Sequence, residues 1–126
     1  MEAWRLRGSL LIENDLSSAE GLASLLEKWG CDVAIATSAA EALDSIRALD
    51  EVPDVIVADL HLDNGETGIE AVEEIRNAIK TDVPAIIVTA DYSAKAASDA
   101  ASFGHELLKK PIKPAEMRSL LSFLLT

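Results

Sequence analysis

The chain has 126 residues and a formal net charge of −11, the size of one ordinary domain. It is 49% hydrophobic but only 4% aromatic, so its core is aliphatic. The charge argues against a nucleic-acid partner, which is held through basic patches. A single cysteine, Cys31, excludes a disulfide framework and reads as a buried structural thiol.

Residues 1–7 contain no apolar segment of signal-peptide type and read as a short extension or linker before a domain spanning 8–126. No apolar run approaches the roughly 20 residues of a membrane span. The cytoplasm is the expected compartment, and no membrane contact by this chain is expected.

The first apolar run is Leu10-Leu11-Ile12. A helix follows over Ser17–Trp29, with Leu22, Leu25, Leu26 and Trp29 on one face. Ser17-Ser18-Ala19-Glu20 reads as its capping box and Gly30 as its stop. The second run is Val33–Ala36, followed by a helix over Ser38–Leu49 with Ala39, Ala42, Leu43 and Ile46 inward. The third run, Val55–Ala58, precedes a helix over Glu66–Lys80 with Ile69, Val72, Ile75 and Ile79 inward. The fourth, Ala85–Val88, precedes an Ala-rich helix over Ser93–Phe103, closed by Gly104. The weak fifth run, Leu107-Leu108, follows the turn residue His105 and precedes a helix over Pro114–Leu125. In that last helix Leu120, Leu121, Phe123, Leu124 and Leu125 are expected mainly to face the core.

Four of the five runs are continuous rather than alternating, which predicts strands buried on both faces of a parallel sheet. A strand–helix alternation repeated five times, with right-handed crossovers, places helices on both sides of that sheet. The fold class is therefore α/β, a doubly wound (βα)5 domain.

Ligands of such folds bind beyond the carboxyl ends of the strands. Glu13-Asn14-Asp15 follow the first strand, Asp59 the third, Thr89-Ala90-Asp91 the fourth and Lys109-Lys110-Pro111 the fifth. Individually these are ordinary cap, turn and surface residues. Together they form an acidic centre flanked by an ammonium and a hydroxyl. Two carboxylates about 4 Å apart repel by roughly 4 kcal/mol at an effective dielectric of 20, and oxygen-only ligands of this kind suit Mg²⁺.

The acidic turn Glu13-Asn14, Asp59, Thr89-Ala90 and Lys110-Pro111, each at the end of the expected strand, together resemble the receiver domain of two-component response regulators from about residue 8 onward. The resemblance implies a five-stranded sheet of flavodoxin-like order 2-1-3-4-5. It implies that Asp59 accepts a phosphoryl group from a phosphohistidine of a histidine kinase or histidine phosphotransfer domain, with Mg²⁺ required. By position, Glu13, Asn14, Asp59 and the backbone carbonyl of His61 would hold the metal, with Asp15 a further candidate. Lys110 would pair with Asp59 or its phosphate, and Thr89 would move toward the phosphoryl group on activation.

The segments LLEKWGCDV, LDNGETGIEAVEEIR and KKPIKPAEMRSLL also look like receivers appended to hybrid sensor histidine kinases. The state expected for this chain is a monomer or weak dimer.

Three positions depart from the family pattern. Asn14 stands where a second acid is usual, which predicts weaker Mg²⁺ binding. Leu107 stands at the aromatic switch position, so the usual threonine–aromatic coupling is altered or absent. Leu60 to Gly65 replaces the frequent Met-Pro turn after the phosphoacceptor. Ala90, Asp91 and the His61 ring are candidates to tune access to Asp59. The competing reading is a pseudo-receiver that keeps the fold and acts only as a protein-interaction module. A metal-dependent phosphohydrolase is disfavoured, because His61 occupies the place of its second catalytic aspartate.

Overall fold

The computed structural model describes residues 8–62, 65–90 and 93–125. The elements alternate without exception. They are β1 (Gly8–Ile12), α1 (Leu16–Lys28), β2 (Asp32–Ala36), α2 (Ala39–Leu49), β3 (Val55–Asp59), α3 (Gly68–Ile79), β4 (Ala85–Thr89), α4 (Ala94–Ser102), β5 (Glu106–Lys109) and α5 (Pro114–Leu125). All pairings are parallel, in the order β2-β1-β3-β4-β5. This is the expected doubly wound fold.

Successive strand residues point to opposite faces, and the core divides accordingly. Leu10, Ile12, Ile56, Ala58 and Ile87 face α2, α3 and α4. Leu11, Val55, Val57, Ile86 and Val88 face α1 and α5, where Ala23, Leu26, Met117 and Leu121 meet them. The thiol of Cys31 is buried in this second cluster and donates toward Ser9 Oγ at 3.3 Å.

The continuous runs differ in what covers them. β3 and β4 are interior strands and buried throughout their apolar lengths. β2 is an edge strand: Val33 and Ala34 are half-buried and Ile35 is exposed. Its continuous run does not mark burial on both faces, because an edge position leaves one flank without a neighbouring strand. α5 shows a similar departure. Met117 and Leu121 are fully buried, Leu120, Leu124 and Leu125 only partly, and Phe123 lies 73% exposed.

The caps differ in detail from expectation. α1 is capped by Asp15, whose side chain accepts from the Ser17 amide at 3.2 Å; Ser17 lies inside the helix. The capping box belongs instead to α3. There Thr67 Oγ1 accepts from the Glu70 amide at 3.1 Å, and Glu70 Oε1 accepts from the Thr67 amide at 2.9 Å. His105 is buried, although its place after a helix-stop glycine suggests a solvated turn.

Gly68 opens α3 directly against the strand end that carries Asp59. Its amide donates to the Leu60 carbonyl at 2.9 Å. A Cβ at this position would overlap the Asp59 carbonyl oxygen and come within 2.9 Å of its carbon and 3.2 Å of Ala58 Cβ. Only glycine allows this approach. Gly68→Ala is expected to destabilise the fold by about 1–3 kcal/mol through overpacking, measured as a lowered denaturant midpoint with an unchanged slope.

Candidate functional site: an acid pair sharing one lysine

β1 and β3 are neighbours, so Glu13, just beyond β1, and Asp59, the last residue of β3, emerge side by side at the carboxyl edge of the sheet. Glu13 is held there by its amide, which donates to the Ala36 carbonyl at 2.9 Å. Lys110 emerges beyond β5, one strand further over, tied by its own amide to the Thr89 carbonyl at 2.8 Å. Its stem crosses the end of β4. Its ammonium donates to Asp59 Oδ2 and to Glu13 Oε1, both at 2.8 Å.

The second Asp59 oxygen, Oδ1, accepts from the His61 amide at 3.1 Å. His61 stands opposite Thr67 in an isolated antiparallel bridge. The flanking bonds of that bridge, Gly68 to Leu60 and Leu62 to Glu66, leave the His61 amide for Asp59.

Burial and charge oppose each other in this cluster. Burial acts to raise the Asp59 pKa, but the Lys110 ammonium, a hydrogen bond with Glu13 and the His61 amide together hold it below its ordinary value. Glu13 is pushed up, first by burial and then by Asp59 beside it, with Lys110 only partly offsetting them. Burial would lower Lys110, but its two carboxylate partners outweigh that and raise it. Asp59 is thus the more readily ionised member of the pair, and Lys110 stays charged. The two acids carry one more negative charge than the lysine neutralises.

That surplus fits an added cation. Among the described residues, no three His, Cys, Asp or Glu side chains come together as a ligand cluster. A cation here would therefore rest on Glu13, Asp59, backbone oxygen and water, a set suited to Mg²⁺.

The other sequence candidates fall in different places. The Asn14 side chain donates from Nδ2 to the Thr37 carbonyl at 3.1 Å, fastening the turn after β2. Asp15 gives one oxygen to the Ser17 amide and the other to Ser18 Oγ at 2.9 Å, so both belong to the α1 cap. Thr89 is fully buried at the end of β4, and Ala90 is exposed beyond it. The His61 side chain is exposed. Leu107 is partly buried against the α2–α4 core cluster. Asp91, along with Asp63 and Asn64 of the loop after β3, lies outside the described residues.

Two residues that shape the site went unread in the sequence. Gly68 fits only beside a known strand end. Glu66 Oε1 accepts from the Ala39 amide at 3.3 Å, joining the loop after Asp59 to the start of α2. The sequence signal for Gly68 was its place after the capping threonine; Glu66 left none.

An α/β sheet with an ionised carboxylate, a partner acid and a lysine converging on its carboxyl edge defines a phosphoacceptor class of signalling domain. The chain belongs to the response regulator receiver domain family, whose model matches residues 10–122. It is 32% identical over 111 residues to the transcriptional regulatory protein ZraR of Escherichia coli K12, covering 88% of this chain and 24% of that protein. It is 31% identical over 114 residues to ZraR of Klebsiella oxytoca, covering 90% and 25%. The chain thus spans about a quarter of the length of these curated relatives.

Among solved structures, it resembles chemotaxis protein CheY4 of Vibrio cholerae, with TM-score 0.83, 23% identity and coverage of 96% of this chain and 100% of that one. It also resembles a receiver domain protein of Clostridium thermocellum, with TM-score 0.81, 23% identity and 94% of each chain covered. These relatives are named as regulators, so the resemblance to receivers of hybrid kinases finds no support among them.

Replacing Lys110 by Met leaves two neighbouring carboxyls without their cation. Stability at pH 7 is expected to fall by about 2–3 kcal/mol, the pair being only partly buried. In the native chain, the stabilisation that follows from the depressed Asp59 pKa is present above the ordinary value of 3.8 and fades as pH falls below it. Loss of Lys110 lifts both acids, so the deficit of Lys110→Met is expected to shrink as pH is lowered and the carboxyls protonate. Denaturant unfolding of both proteins between pH 4 and 7.5, about the span over which raised carboxyls titrate, checks the sign.

Proposed function

We propose that this domain is a phosphorylation switch in which Asp59 accepts a phosphoryl group from a phosphohistidine. The observation that carries the reading is the Lys110 ammonium at 2.8 Å from both Asp59 and Glu13. It keeps an otherwise half-buried carboxylate ionised at the sheet edge. An Asp59 oxygen attacks the phosphorus in line and the P–N bond breaks, its electron pair staying on nitrogen; the ring, already protonated on its other nitrogen in the phosphohistidine, leaves as neutral imidazole. The product is a mixed anhydride.

Little covalent assistance is needed in such a transfer; positioning and charge neutralisation dominate. Lys110 is free to follow the charge from the carboxylate to a phosphoryl oxygen. The His61 amide, already aimed at Asp59, is placed to donate to another, and Thr89 supplies a hydroxyl at the neighbouring strand end. Bound Mg²⁺, held by Glu13, Asp59 and the His61 carbonyl, would supply further neutralisation of phosphoryl charge.

The donor side also has a surface. A groove of about 550 Å³ opens beside the acid pair, lined by Leu22 and Leu25 of α1, Ile112 after β5, and Glu13 and Lys110. An apolar floor with charged groups at one end suits a helix presenting a phosphohistidine. We therefore assign the partner as a histidine kinase or histidine phosphotransfer domain, and the setting as the cytoplasm. Among the described residues no helix is long and apolar enough to cross a membrane. Because the relatives are transcriptional regulators about four times as long, the output we propose is control of a regulator. Any nucleic-acid contact would belong to chain beyond this acidic domain.

The pseudo-receiver reading is kept in view by Asn14, whose amide holds Thr37. Incubation with Mg²⁺ and a small phosphodonor such as acetyl phosphate separates the two. The expected result is a hydroxylamine-sensitive mass gain of one phosphoryl group, absent in Asp59→Asn. No adduct, and no response to beryllofluoride at saturation, would establish the pseudo-receiver instead.

Asn14→Asp adds a charge to the acid centre and removes the donor to Thr37. Mg²⁺ affinity is expected to rise about tenfold, equivalent to about 1.4 kcal/mol, while unfolding without metal shifts to lower denaturant. Equal Mg²⁺ affinity in the two proteins would show that Asn14 does not weaken the site.

A further inference from the structure

A second buried ionisable cluster lies at the opposite end of β5 from Lys110. His105 immediately precedes β5, and its side chain is 0% exposed. Ring Nε2 lies 3.1 Å from Glu73 Oε2 on α3. Nδ1 is buried and has no hydrogen-bond partner among the described residues. The Phe103 ring stacks on the imidazole, with centroids 6.3 Å apart and planes 13° from parallel. The His105 amide donates to the Ala100 carbonyl at 3.0 Å, closing the end of α4, and Gly104 turns the chain at φ +75°.

This geometry has room for one ring proton. A neutral ring places it on Nε2 and donates to the Glu73 carboxylate. A second proton would sit on Nδ1, where no acceptor waits. Arg76 adds a positive charge nearby and cannot readily withdraw. Its Nε and Nη2 donate to the Val83 carbonyl at 2.9 and 2.7 Å, and its Nη1 stands 3.5 Å from Glu73.

The charged groups bearing on the ring are thus Glu73 and Arg76, both from α3. On α4, Lys95 and Asp99 are paired with each other at 2.9 Å. Glu106, next along the chain, lines the groove under α5 on the other face of the sheet.

We infer that the His105–Glu73 contact is an acid-sensitive latch that holds the α4–β5 turn against α3 and opens when the imidazole takes up its second proton. Burial of the ring and the Arg76 charge resist that proton, with Glu73 only partly offsetting them. The sign follows. A ring more reluctant to protonate folded than unfolded stabilises the fold fully above the ordinary value of 6.5, and that stabilisation is lost as pH falls below it. The consequence reaches α4, because Leu107 lies two residues along the same face of β5, in the core cluster that holds Ala96 and Ala100. Acidification therefore loosens α4 against the sheet from the end remote from Asp59.

The test compares the native chain with His105→Gln, which keeps a donor for Glu73 but cannot be protonated. Because the folded ring takes up its proton less readily than the unfolded one, His105 is expected to raise the unfolding constant between neutral pH and pH 5, by at most about 30-fold. His105→Gln should lose that part of the pH dependence. Ring NMR of the native chain gives a second readout, separable from the exposed His61. His105 should titrate below the ordinary value of 6.5, and exchange of the His105 amide should accelerate as it does. Equal pH slopes in the two proteins would overturn the latch. If His105→Gln fails to fold, a His105 ring that protonates near 6.5 with its amide still protected would overturn it.

Discussion

The placement of one ammonium between two carboxylates is the constraint on which the rest of this molecule depends. Lys110 reaches Asp59 and Glu13 at equal distances of 2.8 Å, but the three residues are separated by up to 97 positions in sequence. Only the order β2-β1-β3-β4-β5 sets the ends of β1 and β3 together with β5 one strand away. The separation across β4 matters. A lysine stem can span one strand end, and the residue it passes is Thr89, buried at the same edge. The aliphatic cores on both faces, the glycine that lets α3 abut β3 and the amide ties from Glu13 and Lys110 to adjacent strands all serve to keep that edge rigid.

A shared cation is a different electrostatic object from two ion pairs. It neutralises one charge of two, and the geometry decides which acid benefits. Asp59 receives the lysine, the His61 amide and the hydrogen bond with Glu13, and stays ionised. Glu13 is left with the residual repulsion and is pushed up. The asymmetry distinguishes the two acids before any ligand arrives: one is held ionised, and the other carries the unfavourable share of the charge.

Much of this was legible in the sequence because strand ends announce themselves. Apolar runs of two to four residues bounded by polar clusters marked every strand, and reading the residues just beyond them picked out Glu13, Asp59, Thr89 and Lys110. What failed was whatever depends on a neighbour from elsewhere in the chain. Ile35 and Phe123 look like core residues until the edge position of β2 and the outer face of α5 are known. That Asp15 gives both oxygens to the α1 cap could not be read from its place in the acidic turn. Asn14 looks like a missing charge, yet its amide makes a bond to Thr37 that an aspartate could not donate. His105 looks like a turn residue because Gly104 precedes it, whereas Glu73, which buries it, is 32 residues away.

The two ends of β5 show how burial can accompany opposite ionisation. Lys110 and His105 are both cationic when protonated, and both are desolvated. Lys110 has two acids within 2.8 Å and no competing cation in contact, so its charge is favoured. His105 has one acid, a nearby arginine and one ring nitrogen without an acceptor, so its charge is disfavoured. Burial disfavours the charge on both groups; at Lys110 two acid partners outweigh it, and at His105 the single acid does not. A single strand thus carries a favoured charge at one end and a suppressed charge at the other, with Leu107 between them on the face that supports α4.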